Sequence, residues 1–271
     1  MIRSRLVAAA LVLSGMSPVT AAASADLLAP HRAVYDLTLQ QANERAGIAG
    51  IYGRMVYEFK GSACAGYTTN FRFVTEVDTG EEKRLSDQQT TTFEDLKSRK
   101  FRFATKSFTD QQLDKEVNGN AEEGAGRLKV SLDSPAKRSV DLEEGRFPTE
   151  HMIDVLENAR AGKHLFESRI FDGSENGDQT LLATTIIGKQ AKPAGNDPEI
   201  AAAKPLATND FWPVTIAYFN EGKTADALPI YRMAFKLYGN GIIRDLTMDY
   251  SDYVLSGKLT KLELLPEEAC K

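Results

Sequence analysis

The sequence is poor in the side chains from which catalytic and metal centres are built. Its 271 residues hold three histidines, two cysteines and one tryptophan. Neither G-x-G-x-x-G nor G-x-x-x-x-G-K-[ST] occurs, so nucleotide binding has no local support. The serine-hydrolase elbow G-x-S-x-G is missing as well. Excess positive charge is also lacking: 33 Lys and Arg stand against 38 Asp and Glu, a net charge of −5. A nucleic-acid partner, which needs a basic face, is not expected. Hydrophobic residues at 42% and charged residues at 26% are ordinary globular proportions, which exclude wholesale disorder and multispan membrane proteins. No cofactor is implied.

What is there begins with an export signal. Arg3 and Arg5 precede the apolar run Leu6 to Leu13, and small residues follow up to Ala23-Ser24-Ala25. The run is too short for a permanent transmembrane helix, which takes ~20 residues. Residues 1–25 therefore read as a cleavable signal peptide with an A-x-A site before Asp26, cleavage after Ala23 being the alternative. Its removal takes away two positive charges and leaves a net charge of −7 on residues 26–271. Cys64 and Cys270 would then share an oxidising compartment, where a disulfide is the natural reading. Free thiols and intermolecular pairing are the alternatives. A bond between them would join the first and last thirds of one domain.

Strand patterns dominate that domain. Along Ala33 to Leu39, Tyr35, Leu37 and Leu39 share one face while Val34, Asp36 and Thr38 share the other. Residues 51–59, 67–75, 100–104 and 127–132 alternate in the same manner, and Leu85 to Phe93 is a Thr- and Gln-rich strand. Further strands are expected at 165–171, 181–187, 211–218, 230–238, 242–250 and 259–264. Gly61-Ser62 and Gly239-Asn240-Gly241 mark turns. Residues 189–205, rich in Pro, Ala and charge, read as a mobile loop. No βαβ pattern occurs, so the fold class is all-β and mainly antiparallel.

One segment has helical spacing. Over 148–161, Met152, Ile153, Leu156 and Ala159 form an apolar stripe, with Glu157 and Arg160 facing away. Pro148, Thr149 and Glu150 suit its start, and Gly162 suits the position after its end. Such a helix buries its stripe in or across the sheet.

Candidate chemistry is sparse. Glu150-His151 is half of a zincin motif without its second histidine. His151 and Asp154, one turn apart, can pair on a helix surface. A metal site would need His164 and carboxylates to converge, with no recognised spacing, and His31 stands alone. Asp172, Glu175 and Asp178 read as a solvated turn without the spacing of a calcium loop. Phe211 and Trp212, beside Pro213, suit core packing or a partner contact.

Several of these segments together resemble a known family. Thr92-Phe93-Glu94-Asp95, Phe101-Arg102-Phe103, Phe147-Pro148-Thr149-Glu150-His151, Phe171 to Gly177, Phe211-Trp212-Pro213-Val214 and Leu255 to Leu259 are similar, in order, to the EipB-like envelope integrity proteins of the Gram-negative periplasm. The resemblance implies a β-spiral or incomplete β-barrel wound around one helix. It also implies a disulfide between an early and a late cysteine, which Cys64 and Cys270 match. A non-enzymatic role in envelope integrity is expected, through a protein or lipid-bearing partner. Met152 and Leu156 on the helix, with Phe211 and Trp212, are the candidate contacts. The first alternative is a carrier of lipoproteins or hydrophobic ligands; the second is an envelope hydrolase using His151. No integral membrane span remains after cleavage.

Overall fold

Alternation of apolar and polar residues along most of a chain favours a sheet with one wet face, and the computed structural model has that architecture. It describes residues 28–221 and 228–270; the signal segment 1–25 lies outside the described residues. Eight strands come first: β1 (His31–Ala42), β2 (Gly50–Ser62), β3 (Gly66–Asp78), β4 (Lys83–Asp95), β5 (Lys100–Thr109), β6 (Gln112–Gly124), β7 (Arg127–Ser134) and β8 (Arg138–Glu143). Helix α1 (Pro148–Arg160) follows. Six more strands complete the chain: β9 (Leu165–Ile170), β10 (Leu181–Ile187), β11 (Phe211–Asn220), β12 (Tyr231–Tyr238), β13 (Ile243–Asp249) and β14 (Tyr253–Leu264).

All fourteen described strands form one antiparallel sheet, ordered β8 to β1 and then β14 to β9. Apart from β8 and β9, strands consecutive in sequence therefore lie side by side, and the first strand pairs with the last. The ladder does not close between β8 and β9, so the architecture is the expected incomplete barrel. Those two edges still approach each other. Arg146, between β8 and α1, forms an isolated bridge with Ile170, and Arg169 of β9 pairs with Glu143 of β8 at 2.7 Å.

The expected faces hold along β1, where Ala33, Tyr35 and Leu37 are buried and Val34, Asp36 and Thr38 are not. Two strands were not legible. β6 (QLDKEVNGNAEEG) carries an Asn-Gly pair and five charges, and only Val117 and Ala121 give its buried side chains an apolar signal. β8 is short and follows Ser134-Pro135. Both are strands because a neighbouring strand offers them a ladder. The first turn also sits later than expected, since β2 runs through Ser62.

The disulfide joins Cys64, in the β2–β3 turn, to Cys270, with Cα atoms 5.6 Å apart and a sequence separation of 206. Closing so long a loop contributes about 5 kcal/mol as an upper value.

Helix α1 packs inside the curve. Val155, Leu156 and Ala159 belong to the same apolar cluster as Tyr35, Leu37, Phe59, Ile187, Ile216 and Leu255. Burial extends further around the helix than the expected stripe, taking in Thr149 and His151, while Met152 and Ile153 are half-buried. Glu157 and Arg160 are exposed as expected, though Arg160 also donates to the Gly239 carbonyl at 2.7 Å. Gly162 follows the C-cap residue Ala161 at φ +71°, the left-handed position that ends the helix.

The start of α1 is held from across the chain. Phe147 offers no polar side chain at the N-cap, so Glu94 of β4 supplies the acceptors instead. Thr149 N–H donates to Glu94 at 2.8 Å and Glu150 N–H at 2.9 Å. Glu150 in turn accepts from Phe147 N–H at 3.3 Å. Beside this joint, the Phe147 ring stacks on Phe101 at 5.1 Å, and Phe171 meets Phe103 edge-on at 5.6 Å. Gly173 and Gly177 lie so close to Phe103 that a Cβ at Gly173 would sit 2.5 Å from its ring.

The 189–205 segment, read as a mobile loop, has irregular backbone that is anchored at its middle. Fully buried Arg244 donates to both oxygens of Asp197 at 3.0 and 2.8 Å, and to Glu199 at 2.8 Å. Glu199 also accepts from the backbone N–H groups of Asp245 and Leu259. Arg244 is thereby paired on all sides, as a buried charge has to be.

Two predictions follow from the placing of α1. Leu156→Ala should cost ~2–5 kcal/mol in chemical denaturation, whereas Glu157→Ala should stay within about half a kcal/mol; equal small losses would contradict an interior helix. Burial pushes the Glu94 carboxyl from 4.5 up to about 7, although its two backbone donors favour the charged form. The folded-state value exceeds the unfolded one, so this contribution is complete below the unfolded value and is lost as pH rises through 7. The stability of wild type relative to Glu94→Gln should therefore fall between pH about 4 and about 8, by about 3 kcal/mol at most. A difference that stays flat across that range contradicts this.

Candidate functional site

The inward face of a wide sheet offers more space than α1 occupies. Beside the helix lies a cavity of about 520 Å³, in the range of small-ligand pockets. It is bounded by inward residues of β1 to β6, by the first turns of α1 and by β11 and β12. Strand alternation positions each lining residue: on β2, Tyr57 and Phe59 point in; on β11, Ile216 and Tyr218 do the same. Met152 of α1 and Met233 of β12 add two flexible apolar chains to this side.

The lining from β3 to β5 differs in chemistry. Thr69 of β3, Gln88, Thr90 and Thr92 of β4, and Thr105 and Ser107 of β5 line it with hydroxyls and an amide. Thr90 and Thr105 hydroxyls lie 3.0 Å apart in a hydrogen bond. Further along the same inward row of β5 stand Phe101 and Phe103, part of the aromatic joint, so that strand is apolar at one end and hydroxylic at the other. The Thr- and Gln-rich run of β4 was legible as a strand, but its role was not. The signal was present: threonine or glutamine at alternate positions on a face that elsewhere carries apolar residues.

Two histidines border the cavity, both uncharged at neutral pH. His31 Nδ1 donates to the Ala29 carbonyl at 2.8 Å, and burial holds its pKa below the ordinary value. His151 is pushed down to about 4, by burial first and then by Arg146. Its Nε2 stands 3.5 Å from the Thr185 hydroxyl, and its ring lies 6.0 Å from that of Phe166. The pairing of His151 with Asp154 does not form; Asp154 pairs instead with Arg146 at 2.9 Å. His164 hydrogen-bonds the Ile187 carbonyl at 2.9 Å. Among the described residues, no group of three or more His, Cys, Asp or Glu is arranged to hold a metal ion.

Among the described residues, charge reaches the cavity at Lys115, Asp172 and Glu175. Lys115 lies 3.7 Å from Glu175, and the Asp172 carboxylate accepts from Ser174 N–H at 2.8 Å. Asp178 pairs with Arg138 at 2.6 Å. The acidic turn thus docks its half of the sheet against strands of the other half.

The four candidate contact residues occupy different surroundings. Met152 lines the cavity. Leu156 is fully buried in the main core. Phe211 packs with Leu206, Tyr238 and Ile242, under the Lys236 ammonium at 5.2 Å, and Trp212 is half-buried against the main core. The last three are not among the residues that line the cavity. No described helix is long and apolar enough to cross a membrane.

The comparisons with known proteins agree with this architecture. The chain is 50% identical over 252 residues to the cell envelope integrity protein EipB of Brucella abortus (strain 2308), covering 93% of this chain and 89% of the relative. A crystal structure from Brucella abortus, described as a beta-barrel-like protein, superposes with a TM-score of 0.84 at 49% identity, over 89% of this chain and 100% of that one. The EipB-like family model matches residues 22–266, and with that match the chain belongs to the EipB-like family.

Proposed function

We propose that this protein is a non-enzymatic periplasmic factor that supports cell-envelope integrity by binding a lipid-bearing partner in the cavity beside α1. The envelope role rests on the 50% identical relative, which is named for envelope integrity. The signal sequence at residues 1–25 supplies the route to the periplasm. The binding reading is carried by one observation: a cavity of about 520 Å³ with an apolar wall, inside the curve of an otherwise filled sheet. A concave, partly open pocket of that size with an apolar lining and a few polar groups is the kind of site small ligands occupy.

A hydrolase reading has less support, because His151 lacks a carboxylate to orient it and is held uncharged in the interior.

Native mass spectrometry of the protein isolated from its own periplasm tests the reading. A lipid-sized adduct that organic solvent removes is expected. Ile216→Trp, which fills the cavity from β11, should lose the adduct. A mass equal to the bare chain in wild type, with the apolar dye N-phenyl-1-naphthylamine taken up equally by wild type and Ile216→Trp, would contradict it.

A further inference from the structure

If the cavity is a binding site, as proposed above, its two walls specify what enters. The register places the polar side chains in one continuous patch. Thr69 stands opposite Thr92, Thr90 opposite Thr105, and Gln88 opposite Ser107. Directly opposed residues on one face lie about 5 Å apart, so these six groups form a surface rather than scattered points. A hydroxyl carries one donor and two acceptor lone pairs, so the Thr90–Thr105 pair keeps capacity for further hydrogen bonds. Apolar side chains begin at the edge of the patch, where Phe59 stands opposite Thr69 and Phe71 opposite Thr90, and Ile216 of β11 and Met233 of β12 add to them.

Charge decides the rest. Of the lining residues, Lys115 alone carries a cation, and it faces Glu175 at 3.7 Å with Asp172 on the same rim. His31 and His151 bring imidazoles held in the neutral form. A carboxylate or phosphate placed here would meet Asp172 and Glu175 at the rim, and among the described lining residues the one cation, Lys115, already faces Glu175. A neutral polyol would lose its water but regain hydrogen bonds from the threonine wall.

We propose that the cavity takes a single-chain amphiphile with an uncharged, hydroxyl-bearing headgroup, of the acylglycerol or alkyl glycoside class. Its chain lies along β2, β11 and β12, and its headgroup lies against Gln88, Thr90, Thr92, Thr105 and Ser107. The specificity-determining residues are Thr90 and Thr105, at the centre of the patch. A chain without a headgroup would leave those hydroxyls facing hydrocarbon, and an anionic headgroup would meet acidic residues at the rim.

Calorimetric titration of the mature protein with 1-monolauroylglycerol and with laurate, below their aggregation concentrations, compares two headgroups on one acyl chain. The monoacylglycerol should bind roughly tenfold more tightly or better. The shape-conserving variant Thr90→Val/Thr105→Val should lose that preference and keep its laurate affinity; Ser107→Ala serves the same purpose should the double variant fail to fold. The uncharged apolar dye N-phenyl-1-naphthylamine reports the cavity itself. Laurate binding as tightly as monolauroylglycerol, or dye binding without monolauroylglycerol binding, would overturn the headgroup assignment and leave the cavity reading standing. Failure of dye and both lipids to bind would overturn the two together.

Discussion

A sheet of fourteen strands wound once encloses more space than its own inward side chains can fill, since about eight strands already suffice for a filled interior. That excess volume is the constraint on which the rest of the structure depends. Helix α1 answers most of it. One face of the helix, Thr149, His151, Val155, Leu156 and Ala159, is buried, and its apolar residues join a cluster that spans β1 to β3 and β9 to β14. What the helix does not fill remains as the cavity. Helix and cavity are two consequences of one strand count.

A helix standing inside a sheet needs its ends and its flanks fixed, and the sequence segments that carry the family resemblance do this together. Glu94 accepts from the first backbone N–H groups of α1, where the helix dipole favours a carboxylate. Phe101, Phe103, Phe147 and Phe171 close around that joint, and Gly173 and Gly177 allow the following turn to lie on the Phe103 ring. Segments spread from residue 92 to residue 177 thus meet at one place. On the far side, Arg244 ties the irregular 189–205 segment to β13 and β14 through Asp197 and Glu199. The disulfide adds a covalent tie between the β2–β3 turn and the chain's tail.

Strands with clean alternation, such as β1 and β5, were legible because half-burial imposes a period of two on composition. The helix was legible through its spacing and through Pro148 and Gly162 at its ends. β6 was not, because a strand flanked on both sides can hold Asn, Gly and five charges as long as Val117 and Ala121 face inward. Long-range polar partners leave no local trace either: nothing near Glu94 announces a helix start more than fifty residues later, and Arg244 meets Asp197 across 47 residues. The hydroxyl wall lay between these cases. Its threonines were visible, but threonine suits any strand, and only the register showed that Thr69, Thr90, Thr92 and Thr105 face one interior.

The central claim is that α1 is a fixed interior strut beside a permanent cavity, not a lid that opens over the sheet. Amide hydrogen exchange in the native protein reads this directly, since exchange from a strut requires opening of the surrounding sheet. Amides of Val155, Leu156 and Ala159 should exchange with the same free energy as those of β1 and β14 and respond to denaturant with the global slope. Exchange of α1 through a smaller, denaturant-insensitive opening, with the sheet still protected, would contradict the claim.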